Sequence, residues 1–95
     1  LLLLPVLAVP PFSVDDYGVN EIDGQPVSPI GWMPFTYPFN ITGQPAASVP
    51  GGFTDDNLPI GLQIVGRKYD EALVLKAAAA FEQAQPWADK YPPLD

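Results

Sequence analysis

Pro38-Phe39-Asn40-Ile41-Thr42-Gly43-Gln44-Pro45-Ala46-Ala47-Ser48-Val49-Pro50 is the stretch on which the fold turns. It packs a helix end, a turn and a strand into a short span. The aromatic run from Phe35 to Thr42 follows Pro34, and proline is tolerated in the first turn of a helix. Gly43 stands where a left-handed residue ends such a helix. Ala46 to Phe53 then reads as a strand, with Ala47, Val49 and Gly51-Gly52 small enough for close packing on both faces.

Downstream, Thr54-Asp55-Asp56-Asn57 is a polar turn, and Leu58-Pro59-Ile60-Gly61-Leu62-Gln63-Ile64-Val65-Gly66 follows it. Ile60 to Val65 reads as a second strand. Leu62 and Ile64 fall on one face, Gln63 and Val65 on the other. The two strands predict a β-hairpin. Asp70 is placed to cap a helix through its side chain, and Glu71 adds negative charge where the helix dipole favours it. Leu73, Val74, Ala77, Phe81 and Ala84 share one helical face. Ala77 to Ala80 suits close approach to a sheet, and Pro86 stops the helix. Trp87 is expected to pack back as an anchor, and Lys90 to Asp95 to run extended.

Upstream, Leu1-Leu2-Leu3-Leu4 is a continuous apolar run, as expected of a strand buried on both faces of a parallel sheet. Pro5, Pro10 and Pro11 force extended, irregular backbone after it. Phe12 to Pro34 reads as one long loop, and loops of that length are usually functional or cover something. Within it, Pro26-Val27-Ser28-Pro29 has the PxxP form of a polyproline ligand. The apolar start ends at Pro10-Pro11, well short of the ~20 residues of a membrane span, and no basic segment of a signal peptide precedes it. A chain without an initial Met, opening inside a hydrophobic run, reads as cut from something longer.

The 95 residues bound the chain to one small domain at most. Thirteen prolines and eight glycines predict irregular backbone, yet 47% of residues are hydrophobic and only 16% charged. Disorder requires the opposite balance. The net charge of −7 repels phosphate backbones and anionic lipid headgroups, so neither nucleic acid nor a membrane surface is an expected partner. The absence of Cys and His removes the thiolate nucleophile, the commonest metal ligand and the usual general base. Asp15-Asp16 and Asp55-Asp56 lack the spaced ligands of a calcium loop and read as solvated charge. No metal site and no cofactor are expected.

A nucleophile would then have to come from Ser13, Ser28 or Ser48. A serine needs a base within hydrogen-bond reach. Ser13 and Ser28 have no partner at a recognisable spacing. Ser48 lies in the expected strand, where a buried, internally bonded hydroxyl is the simplest reading. Lys68, Lys76 and Lys90 read as solvent-facing. Gly51-Gly52 lacks the Lys-Ser/Thr of a phosphate-binding loop. The chain carries no catalytic residue by its own chemistry.

Taken in order, these segments resemble the C-terminal end of amidase-signature hydrolases along nearly the whole chain. Leu1 to Pro11 resembles the family's Leu-rich strand with its Pro-containing turn. Asn40 to Ala46 resembles its Asn-x-Thr/Ala-Gly-x-Pro-Ala segment. Asn57 to Gly66 resembles its Gly-Leu-Pro-x-Gly-x-Gln-x-x-Gly strand, with Asn57 in place of the usual Gly. Asp70 to Glu82 resembles its last helix, and Trp87 with Pro92-Pro93 its common ending. Gly51 stands where many members have Cys.

The resemblance implies an α/β fold, a mixed β-sheet core flanked by helices. This chain, 1–95, would be an incomplete C-terminal part of a single domain. It would hold a buried strand, a long loop, a short helix, a β-hairpin and a C-terminal helix. It implies a cytoplasmic amide hydrolase using a Ser-Ser-Lys triad that lies upstream of these residues. The partners implied are the remainder of the amidase polypeptide and a small-molecule amide, with a homodimer left open. Glutamine-using members tend to carry an acidic residue shortly before the Asn. Trp32-Met33-Pro34-Phe35-Thr36-Tyr37 has none, which favours a more apolar amide. Trp32, Met33 and Phe35 are the candidate walls of a substrate pocket, since such pockets are mostly apolar; core packing of the same aromatics is the alternative. Two readings compete with the enzyme reading: a stand-alone Pro-rich interaction module without activity, and an inert truncation product.

Overall fold

The computed structural model describes residues 1–90, arranged as an antiparallel three-stranded sheet with one long helix on a face. The strands are β1 (Leu2–Pro5), β4 (Ala46–Phe53) and β5 (Pro59–Val65), in the order β1-β5-β4. A separate small hairpin, β2 (Glu21–Ile22) and β3 (Gln25–Pro26), interrupts the long loop. The helices are α1 (Tyr37–Thr42) and α2 (Glu71–Ala84). The extended tail expected after Lys90 lies outside the described residues.

The stretch that decided the reading folds as its residues dictate. α1 starts at Tyr37, later than the expected Phe35, so that Pro38 rather than Pro34 stands in its first turn; it ends at Gly43, whose φ of 73° is the left-handed conformation. The Gly43 N–H bonds back to the Phe39 carbonyl at 3.0 Å. β4 occupies the expected span. A register irregularity between Pro50 and Gly52 bends its far half. The turn into β5 is held by Thr54, whose hydroxyl accepts the Leu58 N–H at 3.0 Å and donates to the Asp56 carboxylate. Asn57 closes it at φ 65°, a conformation that Gly and Asn adopt with least strain. That geometry explains why Asn can stand where the resembling sequences have Gly.

Cross-strand register sorts the side chains. Leu3 and Ala47 flank Ile64, and Val49 opposes Leu62 on the same face. α2 lies over β4 and β5 there, burying Val49, Ile64 and Val74 with Ala47, Leu62, Ala77, Ala78 and Phe81 around them. Trp87 packs back on this cluster, its ring centroid 6.5 Å from that of Phe81. A Cβ on Gly66 would meet Val74 Cγ2 at 2.7 Å, so glycine there sets how closely α2 approaches the end of β5. Gln63 and Val65 face the other side and are both buried.

Five expectations are corrected. β1 pairs with β5 antiparallel rather than parallel, and within these residues it forms the edge of the sheet, with Leu1, Leu2 and Leu3 at 59%, 52% and 61% exposure. An uninterrupted apolar run has no alternation from which to tell these two settings apart. The long loop contains the β2–β3 hairpin, because Asp23 and Gly24, at φ 51° and 76°, form the two-residue turn that favours this dipeptide. Asp70 precedes α2 but makes no side-chain cap: Tyr69 at φ 70° turns the chain, and Asp70, at φ −101° and ψ 44°, lacks the extended geometry a capping side chain needs. Leu73 and Ala84 lie on the exposed flank of α2, since the helical phase centres its buried face on Val74. Ser48 is exposed, its side chain on the Gln63 face at the sheet's rim.

Candidate functional site

The aromatic segment is tied to the sheet by one buried polar group. Gln63 is 5% exposed, and its Nε2 donates to the Phe35 carbonyl at 2.7 Å. A buried amide without a partner would cost about 1–3 kcal/mol, so this bond fixes where Phe35 crosses the sheet. A second tie runs from the Ala8 N–H to the Trp32 carbonyl at 3.4 Å. Trp32 stacks edge-on against Phe12 at 5.2 Å between centroids, and its indole Nε1 donates to the Pro29 carbonyl at 2.8 Å. The indole also lies directly over Gly18, where a Cβ would come within 2.5 Å of Nε1. Trp32, Met33 and Phe35 are all half-buried, on consecutive turns that lead into α1.

Beside this segment lies an open groove of about 680 Å³. Its walls are Val6 to Pro11 on one side and Ser48, Ile60 and Gly61 on the other. None of Trp32, Met33 and Phe35 lines it. Trp32 backs it through the bond to Ala8. The groove is largely apolar, with Ser48 and Thr54 the hydroxyl-bearing residues of its lining.

The other chemistry-bearing side chains do not converge. Ser13 accepts the Asp15 N–H at 3.2 Å within its own turn. Ser28 is exposed, and the PxxP segment is split between the end of β3 at Pro26 and a turn in which the Gly31 N–H meets the Ser28 carbonyl. Lys68 sits 5.7 Å from the Tyr69 ring, and Lys76 and Lys90 are exposed. Among the described residues no serine hydroxyl bonds a lysine, and no three acidic side chains gather as a metal site would require. No helix of the described residues is long and apolar enough to cross a membrane.

The sequence places Gln63 on a strand face but gives neither its bond to Phe35 nor the groove. Gln63 had a signal, a lone amide in an otherwise apolar strand. The groove had none, because it forms from segments distant in the chain.

Comparison with known proteins places this arrangement. The family described as Amidase matches residues 1–75. The chain belongs to the amidase family. It is 43% identical over 94 residues to an acylamidase of Rhodococcus erythropolis, covering 97% of this chain and 20% of that protein. It is 48% identical over 62 residues to the 6-aminohexanoate-cyclic-dimer hydrolase of a Pseudomonas strain, which is 65% of this chain and 13% of that one. The solved structure of a bacterial aryl acylamidase of the amidase signature family superposes with a TM-score of 0.81 at 42% identity, over 90% of this chain and 18% of that chain. This amidase-family chain therefore spans about a fifth of the length of the acylamidase and of the aryl acylamidase it matches. Its α/β fold is that of amidase-signature enzymes, shared over the fragment it covers.

Proposed function

We propose that the chain is the C-terminal part of a single amidase domain that hydrolyses carboxylic acid amides. The carrying observation is the match to an acylamidase along 97% of this chain but only 20% of that protein, with no serine hydroxyl bonded to a lysine among the described residues. Catalysis then belongs to a Ser-Ser-Lys triad in the upstream part of the polypeptide. The serine oxygen attacks the amide carbonyl carbon, the C–N bond breaks with a proton passing to the leaving amine, and water releases the acid from the acyl-enzyme. This chain contributes sheet core and the wall of the site. Its partners are the rest of the polypeptide and a small amide, and the enzyme works in the cytoplasm. The test is direct. The longer polypeptide should hydrolyse a chromogenic anilide, and a serine-directed phosphonofluoridate should label a residue outside these 95. Labelling within them, or no amide turnover, would overturn the reading.

The substrate is expected to be an apolar amide, with Trp32, Met33 and Phe35 at its bulky end. The support is the apolar character of the segment and its fixed position over Gln63. In the longer polypeptide, Trp32→Ala or Phe35→Ala should cost a bulky anilide ~1–3 kcal/mol of transition-state binding, about 10- to 200-fold in kcat/KM, while a short aliphatic amide loses little. Equal losses on both substrates, tracking a lower melting temperature, would make these side chains core packing instead.

A further inference from the structure

Among the described residues, Gln63 is the one polar side chain that is fully buried, and it stands on the central strand of the sheet. β5 lies between β1 and β4, with Gln63 opposite Leu4 on one side and Ser48 on the other. Its backbone belongs to those ladders. What it offers the rest of the chain is its side-chain amide, on the face away from α2, and Nε2 donates to the Phe35 carbonyl at 2.7 Å.

The segment it reaches has no ladder of its own. Trp32 to Thr36 is a run of turns, and Pro34 has no N–H to give. Its other bonds are longer or local. The Met33 carbonyl accepts the Thr36 N–H at 3.5 Å and the Thr36 hydroxyl at 3.4 Å, within one turn. The Trp32 carbonyl accepts the Ala8 N–H at 3.4 Å, from the irregular chain after β1. The Trp32 ring is held by Phe12 and by the Pro29 carbonyl, both in the same long loop. The bond from Gln63 is the shortest of these and the one that comes from the sheet. Groups on strands are placed more precisely than groups on loops. A carbonyl shielded from water is costly to leave unpaired. Without its donor, the Phe35 carbonyl must find another partner, and the turn that carries Trp32, Met33 and Phe35 must move to do so.

We propose that Gln63 is a positioning residue for substrate selectivity, its amide holding the Trp32–Phe35 segment at the height over the sheet where its side chains meet the bulky end of an amide. The inference rests on the reading of that segment as a pocket wall in a longer amidase. Gln63 touches no substrate in this arrangement and acts through the Phe35 backbone. Length and donor are both required. Met has the length without the donor, and Asn has the donor one methylene short.

The experiment uses the longer polypeptide with a bulky anilide and a short aliphatic amide, reading kcat, KM and melting temperature for each variant. In Gln63→Met the bulky-to-short ratio of kcat/KM should fall about tenfold or more, through a raised KM for the anilide, with the short amide held within about twofold. Gln44→Met is the control for a merely structural bond. The Gln44 Nε2 also donates to a backbone carbonyl, that of Gly66 at 3.0 Å, but it ties the far end of α1 to the end of β5. Its loss should lower the melting temperature and leave the ratio unchanged, because fewer active molecules lower kcat for both substrates alike. An unchanged ratio in Gln63→Met, or an equal shift in Gln44→Met, would overturn the proposal. Gln63→Asn reads the same ratio where Gln63→Met does not fold. Loss of folding in both would make the amide a requirement of the fold and overturn the positioning role. Trp32→Ala or Phe35→Ala shifting the ratio beside an unchanged Gln63→Met defeats the positioning role alone. No shift in any of these three defeats the wall reading, and the positioning role with it.

Discussion

Purified by itself, the 95-residue chain is expected to leave amides intact. Amide hydrolysis at neutral pH needs an activated nucleophile, and enzymes typically accelerate such reactions by 10⁶-fold or more, roughly 8 kcal/mol of barrier. Ser13 is spent on its own turn, Ser28 is a solvent-facing loop residue, and Ser48 stands in an apolar wall with no lysine bonded to it. A serine hydroxyl without a base is a poor nucleophile at pH 7. The groove offers binding surface, and binding that is equal in ground and transition states does not raise kcat. The measurement is release of the aromatic amine from a chromogenic anilide, followed through successive purification steps. Turnover that rises with purity of the 95-residue chain, and disappears in Ser48→Ala, would place a nucleophile where none is expected.

The parts of the fold legible in the sequence are those in which local chemistry and tertiary setting agree. β4, β5 and α2 have clear periods and hard stops. Gly43 and Pro86 carry boundary information of their own, because few other residues meet the geometry at a left-handed helix end or a helix stop. β1 was illegible in kind. Leu1 to Leu4 carries no alternation that would tell a covered face from an exposed one. The Asp23-Gly24 turn was a readable signal, but its strands are two residues each and leave no alternation around it. Asp70 is the right residue type for a cap, and the left-handed Tyr69 before it denies the geometry. The candidate wall divides similarly. The aromatic composition of Trp32 and Phe35 is visible in the chain, but the force that positions Phe35 comes from Gln63, 28 positions away. Sequence order brought no sign of that bond.

Val74→Asp is expected to unfold the chain, while Leu73→Asp should cost little. Both sit one turn inside α2 and differ by a single helical step. Val74 is 3% exposed, in contact range of Gly66 and clustered with Val49 and Ile64; Leu73 is 42% exposed. A carboxylate at Val74 would be buried among the apolar side chains of that cluster. An uncompensated buried charge costs about 3–5 kcal/mol, or the group must stay protonated at a comparable cost. A chain of this size is stabilised by about 5–14 kcal/mol at best, at 0.05–0.15 kcal/mol per residue. A core of few fully buried side chains places it toward the lower end. Thermal unfolding followed by far-ultraviolet circular dichroism should show loss of the transition for Val74→Asp, or a fall of at least ~12 °C at about 4 °C per kcal/mol. Leu73→Asp should move the midpoint by a few degrees, and Lys76→Ala by less, as a solvent-facing change usually stays within ~0.5 kcal/mol. Equal shifts for Val74→Asp and Leu73→Asp would mean that α2 buries a different face. The helix would then be rotated so that its contacts with β4 and β5 ran through Leu73, and the cluster centred on Val74 would not be the core.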